Sequence, residues 1–371
     1  MADREGTPAK EIHKLFHLMT KYGASDLHLK VGSSPVFRIS GALRNLELPP
    51  LSAVQVRKLL YDILDESQTR TLEQAGDLDF AYSVDDQTRL RVNAYHQRGN
   101  LSLAARLVNV VIPSFDELHM PAGIMERICG FEQGFVILAG VTGSGKSTSL
   151  AAMIEYINTT RRCHIVTVED PIEYMYSDRR AIINQREVGI DVPSFRDALR
   201  YVVRQDPDVI LLGEMRDTET IQAGLSAAET GHLVFGTLHS STVAQTFSRI
   251  LEFFPADAQK QVRTSLQFNL RSIICQKLLP SIKPGVGRVP ALEIMLVTPP
   301  IAKLIERGDD ARILDVVKQS REEGMIDFNR SLYDRIQEGY VSREVALSAS
   351  PNPQALEANL QGVFISESAL R

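Results

Sequence analysis

FVILAGVTGSGKST, spanning Phe135–Thr148, joins an apolar run to a glycine-rich turn, a lysine and two hydroxyl residues. Its centre, Gly140-Val141-Thr142-Gly143-Ser144-Gly145-Lys146-Ser147, satisfies the pattern GxxxxGK[ST] between a strand-like run, Phe135 to Leu138, and a helix beginning near Lys146. Glycines let such a loop curl so that backbone N–H groups face inward, and the positive end of the following helix adds to the attraction for phosphate oxygens. Lys146 is placed to bridge the β- and γ-phosphates of a nucleoside triphosphate, and the Ser147 hydroxyl to ligate Mg²⁺. Thr148 completes the candidate ATP-binding set. No NKxD-type guanine-reading motif is present, so ATP is preferred over GTP.

Working outward, apolar runs alternate with helical stretches: Phe135 to Leu138, Ile165 to Val168, Val209 to Leu212 and Leu233 to Leu238. That alternation predicts a parallel sheet of α/β type. Leu150, Met153, Ile154 and Ile157 give the first helix one apolar face. A second helix is expected through Val262, Leu266, Leu270, Ile273 and Ile274, ending before Pro280. Short helices are expected beyond Pro300, giving a helical C-terminal region. Before the linker-like stretch, two-residue alternation in Leu27, Leu29, Val31, in Leu90, Val92, Ala94 and in Leu101, Leu103 predicts an antiparallel sheet. Amphipathic stretches near Glu11 to Met19 and Ala53 to Leu64 would cover it. The expected partition is a small α+β domain at 1–110, a linker at 111–122, the α/β domain with its helical C-terminal part at 123–350, and a poorly ordered tail at 351–371.

Composition narrows the function classes. With 371 residues, 44% hydrophobic and 23% charged, the chain is long enough for two cores and too apolar for wholesale disorder. Forty-one Lys and Arg against 46 Asp and Glu leave a net charge of -5, with no Trp. A nucleic-acid motor would want a basic channel with stacking aromatics, so no nucleic-acid partner is expected. Cys129, Cys163 and Cys275 are too few and too scattered for a disulfide framework or a zinc knuckle, and a reducing compartment is expected. The N-terminal segment lacks a signal-peptide core and no later run reaches the ~20 apolar residues of a membrane span. A cytoplasmic protein without direct membrane insertion is expected.

Two acidic groups follow strands of the α/β region, where hydrolysis of a triphosphate needs carboxylates for water and metal. Glu169-Asp170-Pro171-Ile172-Glu173 follows the run Ile165 to Val168 and lies at the C-terminal sheet edge, where α/β ligands bind. Gly213-Glu214 follows Val209 to Leu212 in the form of a Walker B strand, with glycine at the usual aspartate position and a glutamate able to hold Mg²⁺ through water. The alternative for Glu214 is a surface ion pair with Arg216. His232 and His239 flank a strand-like run, so their backbones lie about 23 Å apart and they cannot share one metal. Arg91 and Arg106 fall in adjacent N-terminal strand-like runs, where by themselves they are ordinary strand arginines.

Together, Gly140 to Thr148, Glu169 to Glu173, Gly213-Glu214-Met215-Arg216-Asp217 and Glu229 to His239 resemble the secretion ATPase superfamily, and within it the type IV pilus retraction motors. Ala24 to Leu29 and Asn184 to Gly189 are also similar. The resemblance implies a PAS-like N-terminal domain followed by a RecA-like P-loop ATPase domain. It further implies a homohexamer at the cytoplasmic face of the inner membrane, beneath a pilus platform protein, with a paralogous pilus ATPase as a further partner. It assigns Glu173 as catalytic glutamate, Glu214 as the Walker B glutamate, His232 and His239 as the His box, and Arg91 and Arg106 as arginines turned toward nucleotide.

Members that extend pili or drive type II secretion carry a further N-terminal domain and a four-cysteine zinc insert. Neither is expected here, which favours retraction. Pro300-Ile301-Ala302-Lys303-Leu304-Ile305 stands where retraction motors carry Ala-Ile-Arg-Asn-Leu-Ile, and Glu323 to Tyr333 leans toward their accessory relative.

Overall fold

The computed structural model describes residues 10–39, 41–85, 88–108 and 110–363. The chain divides into two compact units, Met1–Val111 with Glu173–Met175, and Ile112–Ile172 with Tyr176–Arg371.

In the first unit the alternating runs become strands β1 (Ala24–Lys30), β2 (Val36–Ile39), β3 (Ala42–Asn45), β4 (Asp77–Asp85), β5 (Thr88–Gln97) and β6 (Asn100–Leu107). They form one antiparallel sheet in the order β3-β2-β1-β6-β5-β4. Leu27, Leu29, Val92 and Leu103 lie in one core with Ile12, Phe16 and Met19 of helix α1 (Glu11–Tyr22) and with Val56 and Leu60 of α2 (Ala53–Tyr61). The other residues of the alternation include Asp26, whose register partner on β6 is Arg106, itself the register partner of Arg91 on β5. A third helix, α3 (Glu66–Ala75), was not foreseen from the sequence: only Leu72 is buried, and a capping box of Asp65 with Gln68 starts it.

The second unit is built on seven strands, β7 (Gly134–Ala139), β8 (His164–Glu169), β9 (Ile182–Glu187), β10 (Val209–Glu214), β11 (Leu233–Leu238), β12 (Leu270–Pro280) and β13 (Arg288–Leu296). Their order is β13-β12-β7-β11-β10-β8-β9, with every pair parallel except β12 with β13. All residues of β7 and β11 are buried, as expected of central strands covered on both faces. Around the sheet lie α4 (Ala122–Cys129), α5 (Lys146–Thr160), α6 (Phe195–Val202), α7 (Thr218–Glu229), α8 (Val243–Glu252) and α9 (Gln259–Asn269). The helical C-terminal region comprises α10 (Pro299–Arg307), α11 (Ile313–Gln319), α12 (Phe328–Gln337), α13 (Arg343–Ala349) and α14 (Pro353–Leu360).

Three expectations differ from the structure. The helix through Val262 and Leu266 stops at Asn269, and Leu270, Ile273 and Ile274 belong to strand β12. Ile273 and Ile274 are adjacent and both fully buried, so the strand is covered on both faces and its apolar run mimics helical spacing. The stretch read as a linker is anchored, because Phe115 and Met120, each 5% exposed, lie in the second unit's core. The stretch read as a poorly ordered tail contains α14, started by Asn352 accepting from the Ala355 N–H and by Pro353 in the first turn, with Leu356 fully buried. The remainder of that tail, 364–371, lies outside the described residues, as do the first nine residues.

Candidate nucleotide site

The loop between β7 and α5 is shaped by its glycines. Gly143 and Gly145 adopt φ of +78° and +89°, conformations that disfavour side chains. At Gly140 the limit is space: a Cβ there would lie 2.4 Å from Ser144 Oγ and 2.6 Å from the Gln276 carbonyl oxygen. Lys146 folds over the loop, its ammonium donating to the carbonyls of Gly140 (2.7 Å) and Val141 (3.2 Å). Val141, Thr142 and Ser147 are exposed and Thr148 is half-buried at the start of α5. Ser144 Oγ is a buried polar atom with no hydrogen-bond partner among the described residues. A curled glycine loop, a lysine poised over it and an unsatisfied hydroxyl within it fit a triphosphate. The Ser147 hydroxyl and the Glu214 carboxylate are hard oxygen groups of the kind that suits Mg²⁺.

Glu214 is brought to this loop by strand order. A bulge between Leu212 and Glu214 on β10 leaves Gly213 unmatched against β11, and Gly213 O accepts from Thr237 Oγ1 at 2.7 Å. A Cβ on Gly213 would come within 3.2 Å of the Val168 carbonyl oxygen, which gives a physical reason for glycine at this position. Glu214 meets His239 Nε2 at 2.7 Å and Arg216 at 2.6 Å. The hydrogen bond from Arg216 pulls the Glu214 carboxyl below its usual range; burial opposes it, while His239, Arg216 and Lys146 reinforce it electrostatically. The ion pair with Arg216 and a place beside the loop lysine therefore coexist.

The remaining candidates separate. His239 lies at the C-terminal end of β11, level with the loop, since Leu238 pairs with Ala139. His232 lies at the opposite end, where its Nδ1 is 2.9 Å from the Ala227 carbonyl oxygen and 3.1 Å from the Thr230 hydroxyl. Within one chain His232 is a clasp on the turn from α7 to β11, away from the phosphate loop. In the acidic group, Glu169 accepts from Thr167 Oγ1 at 2.6 Å, and Asp170 acts electrostatically on Arg216. Glu173 is exposed, on the irregular chain following β8.

In the first unit Arg106 Nε donates to Asp26 Oδ1 at 2.8 Å; the carboxylate side chain is 9% exposed and the guanidinium side chain 71%. Arg38 approaches the other carboxylate oxygen at 3.5 Å. Burial raises the Asp26 pKa, but the Ser25 hydroxyl and Arg106 outweigh it and hold the carboxyl below its usual value. Arg91 is exposed.

Sequence reasoning missed Gln276 on β12, which is 4% exposed and hydrogen-bonds the phosphate loop. The available signal was the lone amide directly after the apolar run Ile273–Cys275.

The family described as Type II/IV secretion system protein matches residues 2–346. The type IV pilus retractation ATPase PilT of Pseudomonas aeruginosa is 41% identical over 344 residues, covering 93% of this chain and 99% of that protein. The type IV pilus ATPase PilU of the same organism is 39% identical over 338 residues, covering 91% of this chain and 88% of its own. Among solved structures, the pilus retraction motor PilT with bound ADP superposes with a TM-score of 0.86 at 42% identity, covering 95% of this chain and 99% of that one.

Proposed function

The chain belongs to the type II/IV secretion system protein family, and from that premise we propose that it is an ATP-hydrolysing motor powering type IV pilus retraction, the work behind twitching motility. The observation that carries this reading is the grouping of Lys146, Glu214 and His239 at the C-terminal edge of the sheet, in a chain similar to a retraction motor along nearly its whole length.

The loop amides from Gly140 to Thr148 and the Lys146 ammonium bind and orient the triphosphate, with the terminal phosphate at the positive end of α5. The Ser147 hydroxyl and, through water, Glu214 would hold Mg²⁺, which would supply neutralisation of the phosphate charge. Glu173 orients or deprotonates the attacking water. His239 fixes the Glu214 carboxylate through its 2.7 Å contact. Arg91 and Arg106 stabilise charge on the phosphates, as the resemblance implies. The working assembly is a homohexamer, peripheral to the inner membrane at the pilus base, engaging the platform protein and a paralogous pilus ATPase. Among the described residues no helix is long and apolar enough to cross a membrane.

A second reading, an accessory retraction ATPase, is favoured by the nearly equal similarity to PilU. Deletion of the gene tests both. Retraction by this motor predicts accumulation of surface pili and loss of twitching; wild-type piliation with weakened retraction under load supports the accessory role. Loss of surface pili refutes both.

A further inference from the structure

The phosphate loop rests on a strand that the motif does not include. Strand β12 runs parallel to β7, with Cys275 in register with Ala139, so the next residue, Gln276, comes up behind the loop. Its carboxamide is engaged at both ends. Nε2 donates to the Ser144 carbonyl oxygen at 2.7 Å, and Oε1 accepts from the Ser149 hydroxyl on the first turn of α5 at 2.8 Å. The approach is close enough to exclude side chains from two loop positions: a Cβ on Gly145 would lie 2.8 Å from Gln276 Nε2, and one on Gly140 2.6 Å from its carbonyl oxygen.

Because a trans peptide is planar, its C=O and N–H point in opposite directions. Holding the Ser144 carbonyl toward Gln276 turns the Gly145 N–H away from β12, to the side left open for phosphate. Only a donor can hold the carbonyl this way, and an amide does so while its oxygen satisfies Ser149. A buried polar group with both ends paired is costly to disturb from either side.

We propose that Gln276 is a positioning residue for phosphate binding: it sets the Ser144–Gly145 peptide so that the loop amides meet the nucleotide's phosphates. The inference rests on the proposed ATP site. In its ionised form Gln276→Glu retains an acceptor for Ser149 but has no donor for the Ser144 carbonyl. Gln276→Met, uncharged and of similar length, serves if the glutamate does not fold. Ser149→Ala removes only the other arm.

Steady-state ATPase assays and titrations with ATP, ADP and adenosine give the readout on protein that thermal melting shows to be folded at the assay temperature. The expected result is a rise of about tenfold in KM for ATP and in Kd for ADP, the effect of about one lost phosphate hydrogen bond. Saturated kcat should stay within threefold, weak adenosine binding should be unchanged, and Ser149→Ala, whose cost falls on stability, should leave KM and Kd within twofold. A folded Gln276 variant with wild-type KM and Kd overturns the proposal, as does a fall in kcat at unchanged KM. If the wild-type protein itself binds no ATP, the ATP-site reading fails and takes the inference with it; that result is distinct from wild-type binding with indifferent variants.

Discussion

Glu293 is a buried acid that the chemistry does not use, and replacing it with glutamine should make the protein more stable in a manner that grows with pH. It stands on β13, 3% exposed, in register with Cys275 on β12, and its Oε1 accepts the Val243 N–H at the start of α8 at 2.6 Å. Burial pushes its pKa from 4.5 up to about 7, against the pull of the Val243 N–H; the charge of Asp327 adds to the rise, and those of Lys277 and Lys318 oppose it. Between those two values the folded protein keeps a proton that the unfolded chain has released. Stability from this group is therefore full below pH 4.5 and falls as pH rises through 7. At 1.36 kcal/mol per pH unit, the folded state loses about 3 kcal/mol across that window. Glu293→Gln keeps the acceptor for Val243 and has no charge to bury. Relative to wild type it should thus gain about 3 kcal/mol on going from pH 4.5 to pH 8, or roughly 6 to 12 °C in the thermal midpoint of a unit this size. Parallel midpoint-versus-pH curves for the two proteins would show that Glu293 carries no buried charge penalty, as would a variant that is least stable at high pH.

Other perturbations probe the site and its supports. Glu173→Gln should keep ATP affinity within a few-fold while turnover falls by about 10² to 10⁴, the range for removing a general base; near-normal hydrolysis removes Glu173 from that role. Asp26→Asn should lower the first unit's thermal midpoint at pH 7. Because the Asp26 pKa is held below 3.8, its ionised pair with Arg106 stabilises above that pH, so the difference should shrink as acid protonates the wild-type carboxylate; a pH-independent difference argues against the pair. Gly213→Ala should cost roughly 1 to 3 kcal/mol in stability, since its methyl would press on the Val168 carbonyl, and an unchanged denaturation midpoint counts against that contact.

The glycine-rich loop was legible because its pattern is local: the glycines, Lys146 and Ser147 fall within eight positions, flanked by a strand and a helix that the apolar pattern marks. The pairing of Glu214 with His239 was not, because it follows from β10 lying beside β11, with Glu214 level with Thr237. Sequence could only place each at a strand end. The glycine before Glu214 read as a departure from a motif, and the structure gives it a reason in the closeness of β8. Strand β12 was misread as helix because paired isoleucines buried on both faces satisfy either period, and with it went the chance of noticing Gln276. Helix α3 escaped notice because it buries a single leucine and is held by its cap. Strand arithmetic sets His232 and His239 apart, but only the structure shows that His232 fastens a turn at the far end of β11.

Motor function requires that the loop at Gly140 to Ser147 grip a triphosphate. Isothermal titration of Mg·ATP into the purified protein and into Lys146→Ala, with both shown to be folded by thermal melting, tests it most directly. Saturable uptake by the wild type and its loss in the variant are predicted. No uptake by folded wild-type protein, or equal uptake by both, would rule out the loop as the nucleotide site.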